Sequence, residues 1–576
     1  MGLDESGTEV DFLVVGSGVG AMSAAITAHD LGARVLMVEK SPQYGGSSAM
    51  SGGGLWVPNN HLMAAAGFSD TPEEAWEYMK GCVGSDVADA RMRAYLENAP
   101  QAIRYLCERT RLRMHVVPDY ADYYQHIPGA KEGGRCLEAS PFDARQLEEH
   151  EFMAMRETVP QELVMNRISL VISEAQALLT RSPGWKTLLA RRLGEYAGDF
   201  AWRSKSRRDR RCAMGNALIG ALRLSLRDRG IALWLNAPAR HLLVERGQVC
   251  GAEIEREGTV TVVRARHGVL LATGGFDNNQ TLRERFLPQP TRAEWSCGNP
   301  YATGDAVAMA EEVGAGLELM DEAWWGPTVV VPGEERARML VIEKSLPGGV
   351  IVNRNGERFV KETAAYNDIV KAMYANHSKR SPCVPAYLVF DANFRRKYPC
   401  GPLLPGAQQP DWMVSDAIRR QFIRKADTLE GLAKLFGIDA GGLRATVAKM
   451  NRFAATGIDE DFHRGENAFD RFFGDKSVTP NPCLAPMVKP PFYGFEVWPG
   501  ELGTKGGISV DEHARVLDQS GNVIAGLYAA GNCSAPVMGR TYPGAGSTLG
   551  PSATFGYVAA RDAMARARGG SAARGA

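Results

Sequence analysis

Residues 11–21, Asp-Phe-Leu-Val-Val-Gly-Ser-Gly-Val-Gly-Ala, decide how the chain is read. Asp11 to Val15 is a short β-branched run closed by glycine, the pattern of a parallel strand buried on both faces. Gly16-Ser17-Gly18-Val19-Gly20-Ala21 completes a G-x-G-x-x-G/A turn, and a helical run, MSAAITAHDLGA, follows it. Gly16 permits the tight turn, Gly18 lets a pyrophosphate approach the backbone, and Ala21 lets helix and strand pack closely. The helix N-terminus beneath favours phosphate charge. Arg34 to Val38 reads as a second strand that delivers Glu39, 23 residues past Gly16, where a carboxylate accepts hydrogen bonds from ribose hydroxyls. Strand, turn, helix, strand and acid in that order predict an α/β, Rossmann-like dinucleotide fold. Gly16, Ser17, Gly18, Gly20, Ala21, Glu39 and Lys40 are expected against the cofactor.

The next residues separate FAD from NAD. Tyr44-Gly45-Gly46-Ser47-Ser48 and Ser51-Gly52-Gly53-Gly54 follow closely, where an NAD domain would pass into another helix. A second loop of glycine and hydroxyl side chains implies a longer cofactor, reaching from diphosphate towards an isoalloxazine ring. Gly46, Ser47, Ser48, Ser51, Gly52 and Gly53 are therefore expected beside it. Two distant strand ends join them: GVLLATGG, with Ala272, Thr273 and Gly274, and GLYAAGN, with Gly531 and Asn532. Gly544-Ala-Gly-Ser-Thr-Leu-Gly550 then opens a small-residue helix, ATFGYVAARDAMARA, and supplies Ser547, Thr548 and Leu549. Together these segments resemble the three-part FAD-binding domain of the glutathione-reductase-like flavoproteins.

Composition narrows the class further. The 576 residues are 45% hydrophobic and 23% charged, ordinary for a globular chain with large cores. Lys+Arg and Asp+Glu number 66 each, so the overall basic excess of a nucleic-acid-binding protein is missing. Ten cysteines form no CxxC pair, which removes metal-knuckle and disulfide-framework readings, and no metal is expected. MGLDESGTEVDFLVVG carries no targeting segment, and no apolar run approaches the ~20 residues of a membrane span. A cytoplasmic protein is the expectation.

Cofactor segments at both ends imply an interrupted domain. Residues 1–291 read as its first part, with a largely helical insertion over about 116–216. The strands IALWL, HLLVER, QVCGAEI and VTVVRA return the chain to the cofactor domain. Residues 292–486 read as a smaller substrate or catalytic domain, and 487–576 as the second part of the FAD domain. The middle domain contains Gly349 to Val360, a strand-turn-strand with Asn355-Gly356 suited to a tight hairpin, and helices in TLEGLAKLFG and AGGLRATVAKMNRFAA. The basic run Arg203 to Arg211 has two readings: a peripheral contact with an anionic membrane surface, or a solvated face whose arginines pair locally. Trp324-Trp325 and Val329 to Val331 are read as an apolar wall for a flat polycycle or as ordinary core.

The combination GSGVGA…EK…YGGSSAMSGGGLW, ATGG and GLYAAGN…GAGSTLG resembles the fumarate reductase/succinate dehydrogenase flavoproteins. Within them the chain is similar, over nearly its full length, to the 3-ketosteroid Δ1-dehydrogenases. The motifs are Pro118 to Tyr124, Phe359 to Tyr366, Pro499 to Gly507 and Met538 to Gly546. The histidine and arginine with which dicarboxylate reductases hold a dianion are absent, since Leu502 and Gly503 precede Thr504 and the last loop reads GAGSTLG. No histidine in GGSSAMSGGG could attach FAD, so noncovalent FAD is expected.

The resemblance implies roles. The Tyr542 hydroxyl and Gly546 N–H would hold the C3 carbonyl oxygen of a 3-ketosteroid as an oxyanion hole. Tyr366 would take the C2 proton, Tyr120 would ease loss of the Tyr366 proton, and hydride would leave C1 for flavin N5. Ala239 joins the cofactor contacts on the same ground. Ala365 stands where the family more often has proline, and Pro543 where it has a small residue. Two alternatives stay open: a 4,5-desaturase or a dehydrogenase of another cyclic ketone, and a flavoprotein that binds steroid or carries electrons without desaturating. The electron acceptor is not identified.

Overall fold

The computed structural model describes residues 8–160, 163–179 and 182–574. Two compact units emerge: Met1–Asn279 with Asn299–Glu322 and Thr504–Ala576, and Gln280–Gly298 with Ala323–Gly503.

The first unit is built on a six-stranded sheet in the order Arg515–Leu517, Val523–Ala529, Val269–Leu271, Phe12–Val15, Val35–Val38 and Ala232–Trp234. Val269–Leu271 runs parallel between Phe12–Val15 and Val523–Ala529, with Leu270 opposite both Val14 and Tyr528. Segments more than 500 residues apart therefore share one sheet; only Arg515–Leu517 pairs antiparallel. A four-stranded sheet, Thr8–Val10, Thr259–Ala265, Gln248–Arg256 and Ala239–Glu245, covers one face. Leu13, Val15 and Leu271 share a buried cluster there with Val249, Ile254 and Val263. Of the four expected strands, IALWL joins the parallel sheet through Leu36 opposite Ala232, and the other three form this second sheet.

The Val19–Asp30 helix packs against the Leu549–Arg574 helix. Their closest approach falls at Gly20, where a Cβ would stand 2.8 Å from the Ser552 carbonyl oxygen, and at Gly556, where it would stand 2.1 Å from that of Gly20. Ala21 is fully buried, but the position that tolerates no side chain is Gly20.

The 116–216 insertion is mixed. Cys136–Ala139 lies between Leu55–Trp56 and Met114–Val116, and Phe142–Asp143 pairs with Arg211–Cys212. Its helices among the described residues include Glu149–Ala154, Ile172–Leu179, Trp185–Gly198 and Phe200–Arg203.

The second unit carries a sheet ordered Arg338–Met339, Ala323–Val329, Phe492–Thr504, Ala386–Phe390 and Gly349–Val352, with Arg424–Ala426 also on Phe492–Thr504. Thr428 and Asp439 cap the helices Leu429–Phe436 and Ala440–Thr456, accepting from Gly431 N and Gly442 N, and Gly437 and Gly457 end them. Their buried faces, Leu432, Leu443, Val447 and Met450, pack on Val350, Val352 and Val389.

Three expectations shift. The units do not change over at 292 and 486. Residues 299–322 belong to the first unit, where Leu317–Glu318 pairs with Gly507–Ile508. The chain returns at Thr504, because Phe492–Thr504 spans the second sheet despite its glycines and proline. Gly349 to Val360 makes no full hairpin: Gly349–Val352 pairs with Ala386–Phe390, and a single Val352–Arg358 bridge closes the turn at Gly356, φ +73°. Arg358 instead turns inward to Glu362 and Asp459.

Candidate active site

The cofactor cradle forms where the parallel strands end. Gly16, φ +115°, lies so close to the next strand end that a Cβ would meet the Ala272 oxygen at 2.1 Å. Gly18 caps the Val19–Asp30 helix, whose first turn carries no acid and no side-chain cap. The Val19 amide donates to Ser48 Oγ at 3.1 Å, tying the helix start to the Gly46–Met50 turn that holds Gly46, Ser47 and Ser48. Ser17 Oγ donates to Glu39 Oε2 at 2.5 Å and accepts from Gly45 N at 3.0 Å; Ser41 N donates to Glu39 Oε1 at 2.9 Å. Burial raises the Glu39 carboxyl above its usual range, with these hydrogen bonds opposing. Lys40 turns to Thr303 and Asp305, 2.6 and 2.9 Å from its Nζ.

Several expected contacts shape the cradle from within. Ser51 Oγ bonds Ser48 O and Gly53 N, and a Cβ on Gly53 would stand 2.4 Å from the Met214 carbonyl carbon; Gly52, between them, is half-buried. Ala237 N donates to Glu39 O at 2.9 Å, and two residues on Ala239 begins its strand. Ala272 N donates to Val15 O, and Thr273 and Gly274 follow. Gly531 and Asn532 lie in the Gly531–Cys533 turn. Ser547 Oγ is occupied with Gly544, while Thr548 precedes and Leu549 begins the last helix.

An FAD test comes from the glycines. Gly16 and Gly53 are demanded by protein backbone, but a Cβ on Gly46 or Gly274 would meet nothing nearer than 3.9 Å. Open glycines, a helix N-terminus with a glycine N-cap and no acid in its first turn, and a desolvated carboxylate suit a diphosphate and a ribose. The residues present fit the cofactor.

A tyrosine cluster stands in the same unit. Tyr123 stacks on Tyr542, ring centres 5.5 Å apart and planes at 17°, and its hydroxyl lies 3.5 Å from that of Tyr120. The Pro543 carbonyl accepts from Tyr123 N at 2.9 Å and from the Tyr78 hydroxyl at 2.6 Å, so proline here anchors the loop. Tyr542 N donates to the Tyr124 hydroxyl at 3.4 Å. Gly546, φ +97°, lies against Gly54 and Leu55, whose backbone a Cβ would meet at 2.5 Å. Beneath the 118–136 loop, buried Asp122 accepts from Trp56 Nε1 and Arg135, each at 2.7 Å, and Arg135 also grips Asp70. Tyr120 and Tyr542 are buried, and burial pushes the Tyr120 phenol well above its ordinary value.

Tyr366 belongs to the second unit. It is buried and begins the Tyr366–Ala375 helix directly after Ala365. That helix packs on Ala323–Val329, where Trp325 meets Tyr374 edge-on with centres 5.6 Å apart. Trp324, Trp325, Val329 and Val331 are buried, while Val330 is 39% exposed.

Sequence reasoning gave no role to Asp122, Arg135 and Lys505, and named Tyr123 only as a neighbour of Tyr120 in the motif. Lys505, fully buried, donates to the Thr541 carbonyl at 2.5 Å, one residue before Tyr542. Its signal is a lysine inside the Thr504-Lys-Gly-Gly507 run. The basic run is largely satisfied internally: Arg208 bonds the Phe152 and Met155 carbonyls, Arg210 pairs with Asp199, and Arg211 with Glu174. Among the described residues no helix is long and apolar enough to cross a membrane.

These features define an FAD-binding oxidoreductase of the flavoprotein class, and the family described as an FAD binding domain matches residues 11–549. The chain is 42% identical over 570 residues to a 3-oxosteroid 1-dehydrogenase of Mycobacterium tuberculosis, covering 96% of this chain and 98% of that one. It is 40% identical to a 3-oxosteroid 1-dehydrogenase of Mycolicibacterium smegmatis, with 98% of both chains covered. The crystal structure of 3-ketosteroid Δ1-dehydrogenase from Sterolibacterium denitrificans, in complex with 1,4-androstadiene-3,17-dione, superposes with a TM-score of 0.94 at 46% identity over 97% of this chain and all of that one. This chain belongs to the 3-oxosteroid 1-dehydrogenase family.

Proposed function

We propose that the protein introduces the C1–C2 double bond into a 3-ketosteroid, using noncovalent FAD. The observation that carries this reading is the Tyr542–Gly546 loop: a buried phenol stacked on Tyr123, and a glycine amide four residues on, both on a loop pinned through Pro543, Lys505 and Gly54. A neutral ketone calls for such donors and for no cationic clamp. In this reading the Tyr542 hydroxyl and the Gly546 N–H stabilise negative charge on the C3 oxygen. Tyr120, kept protonated by its burial, eases loss of the Tyr366 phenolic proton, and Tyr366 then takes the C2 proton. FAD, when bound, supplies the hydride acceptor. Gly18, Gly46 and Gly274 would admit its diphosphate arm, and Glu39 its ribose.

Tyr542→Phe is expected to keep FAD and to lose about 10²–10³ in kcat on a 4-en-3-one steroid, the scale of one oxyanion donor. Turnover near that of the unaltered enzyme would remove Tyr542 from the chemistry. Product analysis decides the bond: a 1,4-dien-3-one supports the reading, and 4,5-desaturation of a saturated 3-ketone in its place overturns it. Noncovalent FAD predicts a colourless pellet and a yellow supernatant after acid precipitation. A membrane contact would rest on Phe200 and Leu193, 78% and 37% exposed, since Arg208, Arg210 and Arg211 are paired internally.

A further inference from the structure

Lys344 is almost completely buried in the second unit, where an ammonium without partners is costly. Its three hydrogens go to neutral oxygens: the Ala364 carbonyl at 2.9 Å, the Glu362 carbonyl at 3.0 Å and Ser345 Oγ at 3.1 Å. The two carbonyls flank Thr363 and stand two and four residues before Tyr366. The segment between them has no regular structure, and Ala365, at the helix N-cap, offers no side chain to fix the turn. The Glu362 side chain is held separately, by Arg358 at 2.7 Å, Arg464 at 2.9 Å and the Ile351 amide at 3.2 Å. Side chain and main chain of this short stretch are thus moored independently, and among the described residues Lys344 is the side chain that reaches the carbonyl nearer to Tyr366.

We propose that Lys344 is a positioning residue for Tyr366, its ammonium bridging the Glu362 and Ala364 carbonyls and so fixing the backbone from which the Tyr366 helix starts. This rests on the reading of Tyr366 as the base for the C2 proton. A base displaced by about 1 Å loses on the order of 10²-fold in rate without losing substrate affinity, because proton transfer depends steeply on donor–acceptor geometry. The group that would feel the loss of Lys344 is therefore the proton-transfer step, not steroid or FAD binding.

Lys344→Met, Lys344→Gln and Tyr366→Phe would be compared as holoenzymes on a 4-en-3-one steroid, on its C2-deuterated form and on its C1-deuterated form. Lys344→Met is expected to retain FAD, to hold KM within about threefold and to lose about 10- to 100-fold in kcat. The C2 isotope effect should rise while the C1 effect stays. Lys344→Gln keeps two donors and should lose about three- to tenfold. Unchanged kcat and isotope effects in either lysine variant overturn the proposal. So does a parallel fall of FAD content and kcat with no change in isotope effect, which marks a purely structural lysine. Should Lys344→Met fail to fold, the glutamine variant decides by the same criteria. Tyr366→Phe separates the two layers: if it turns over normally, the base assignment falls and the lysine's role with it. If it is inactive while both lysine variants behave as the unaltered enzyme, only the role of Lys344 falls.

Discussion

The loop of residues 118–136 and the segment 358–366 each carry a tyrosine, and each hangs from a buried ion network, but the networks differ in charge. In the first unit one arginine, Arg135, faces two carboxylates, Asp70 and Asp122. In the second, Arg358 and Arg464 face Glu362 and Asp459, and the Lys344 ammonium is added to the balanced set. Excess negative charge in a desolvated place holds nearby phenols protonated: burial, then Asp122, pushes the Tyr78 hydroxyl up. That suits a loop whose tyrosines would donate hydrogen bonds. A positive excess, present while Lys344 keeps its proton, suits a segment proposed to carry a base. In the proposed mechanism two similar moorings serve opposite proton chemistry, and the contrast can be broken by substitution.

The largest effect is expected from Glu362→Gln. It leaves Arg358 with Asp459 and takes from the buried Arg464 guanidinium its carboxylate partner, leaving it bonded to the Gly349 and Leu346 carbonyls, and stranding a buried charge typically costs about 3–5 kcal/mol. Asp122→Asn should cost less, about 1–3 kcal/mol, because Arg135 keeps its paired bonds to Asp70 at 2.6 and 2.9 Å and the amide oxygen can still accept from Trp56. Urea unfolding of both variants checks the order, and a reversed order would show that the first network, not the second, bears the greater strain of unpaired charge.

Lys344 sharpens the comparison through pH. Arg464, Lys361, Asp470 and Glu362 are the charged groups that face it, and burial pulls its pKa down to about 7. An unfolded lysine titrates near about 10.4, so between pH 7 and that value the unfolded chain holds the extra proton. Stability through this group therefore rises with pH, by up to about 1.4 kcal/mol per unit. The difference in unfolding free energy between the unaltered protein and Lys344→Met should change with that slope from pH 7 to 9. A flat difference would mean that the lysine keeps its proton throughout.

The two regions were not equally legible in sequence. DFLVVGSGVGA declares itself because strand, turn and helix are each local patterns and the glycines have local tasks. Leu317–Glu318, two residues long, leaves no periodicity, so the return of 299–322 to the first unit was hidden. The tyrosine segments depend on partners far along the chain: Asp122 finds Trp56, 66 residues away, and Glu362 finds Arg464, 102 away. No spacing rule marks such pairs. A buried lysine bound only by neutral oxygens runs against the ordinary exposure of lysine, so Lys344 carried no signal at all. The motif that names Tyr120 also contains Tyr123 and Tyr124, and their separate tasks come from an irregular loop whose direction is set by the Asp122–Arg135 pair.

Tyr123 gives the smallest effect and the finest test of that loop. Its ring supports Tyr542 by stacking, and phenylalanine keeps the ring. Its hydroxyl lies 3.5 Å from that of Tyr120, at the outer limit of a hydrogen bond, where little energy remains. Tyr123→Phe is therefore expected to change stability by less than about 1 kcal/mol and to lower kcat by no more than about fivefold, with KM unchanged. Tyr123→Ala removes the stack itself and should cost more than the phenylalanine variant in both stability and kcat. If the phenylalanine variant alone lost 100-fold or more, the Tyr123 hydroxyl would belong to the chemistry. The negative network beneath it would then serve Tyr123 in place of Tyr120, and the loop's catalytic tyrosine would move three residues along the chain.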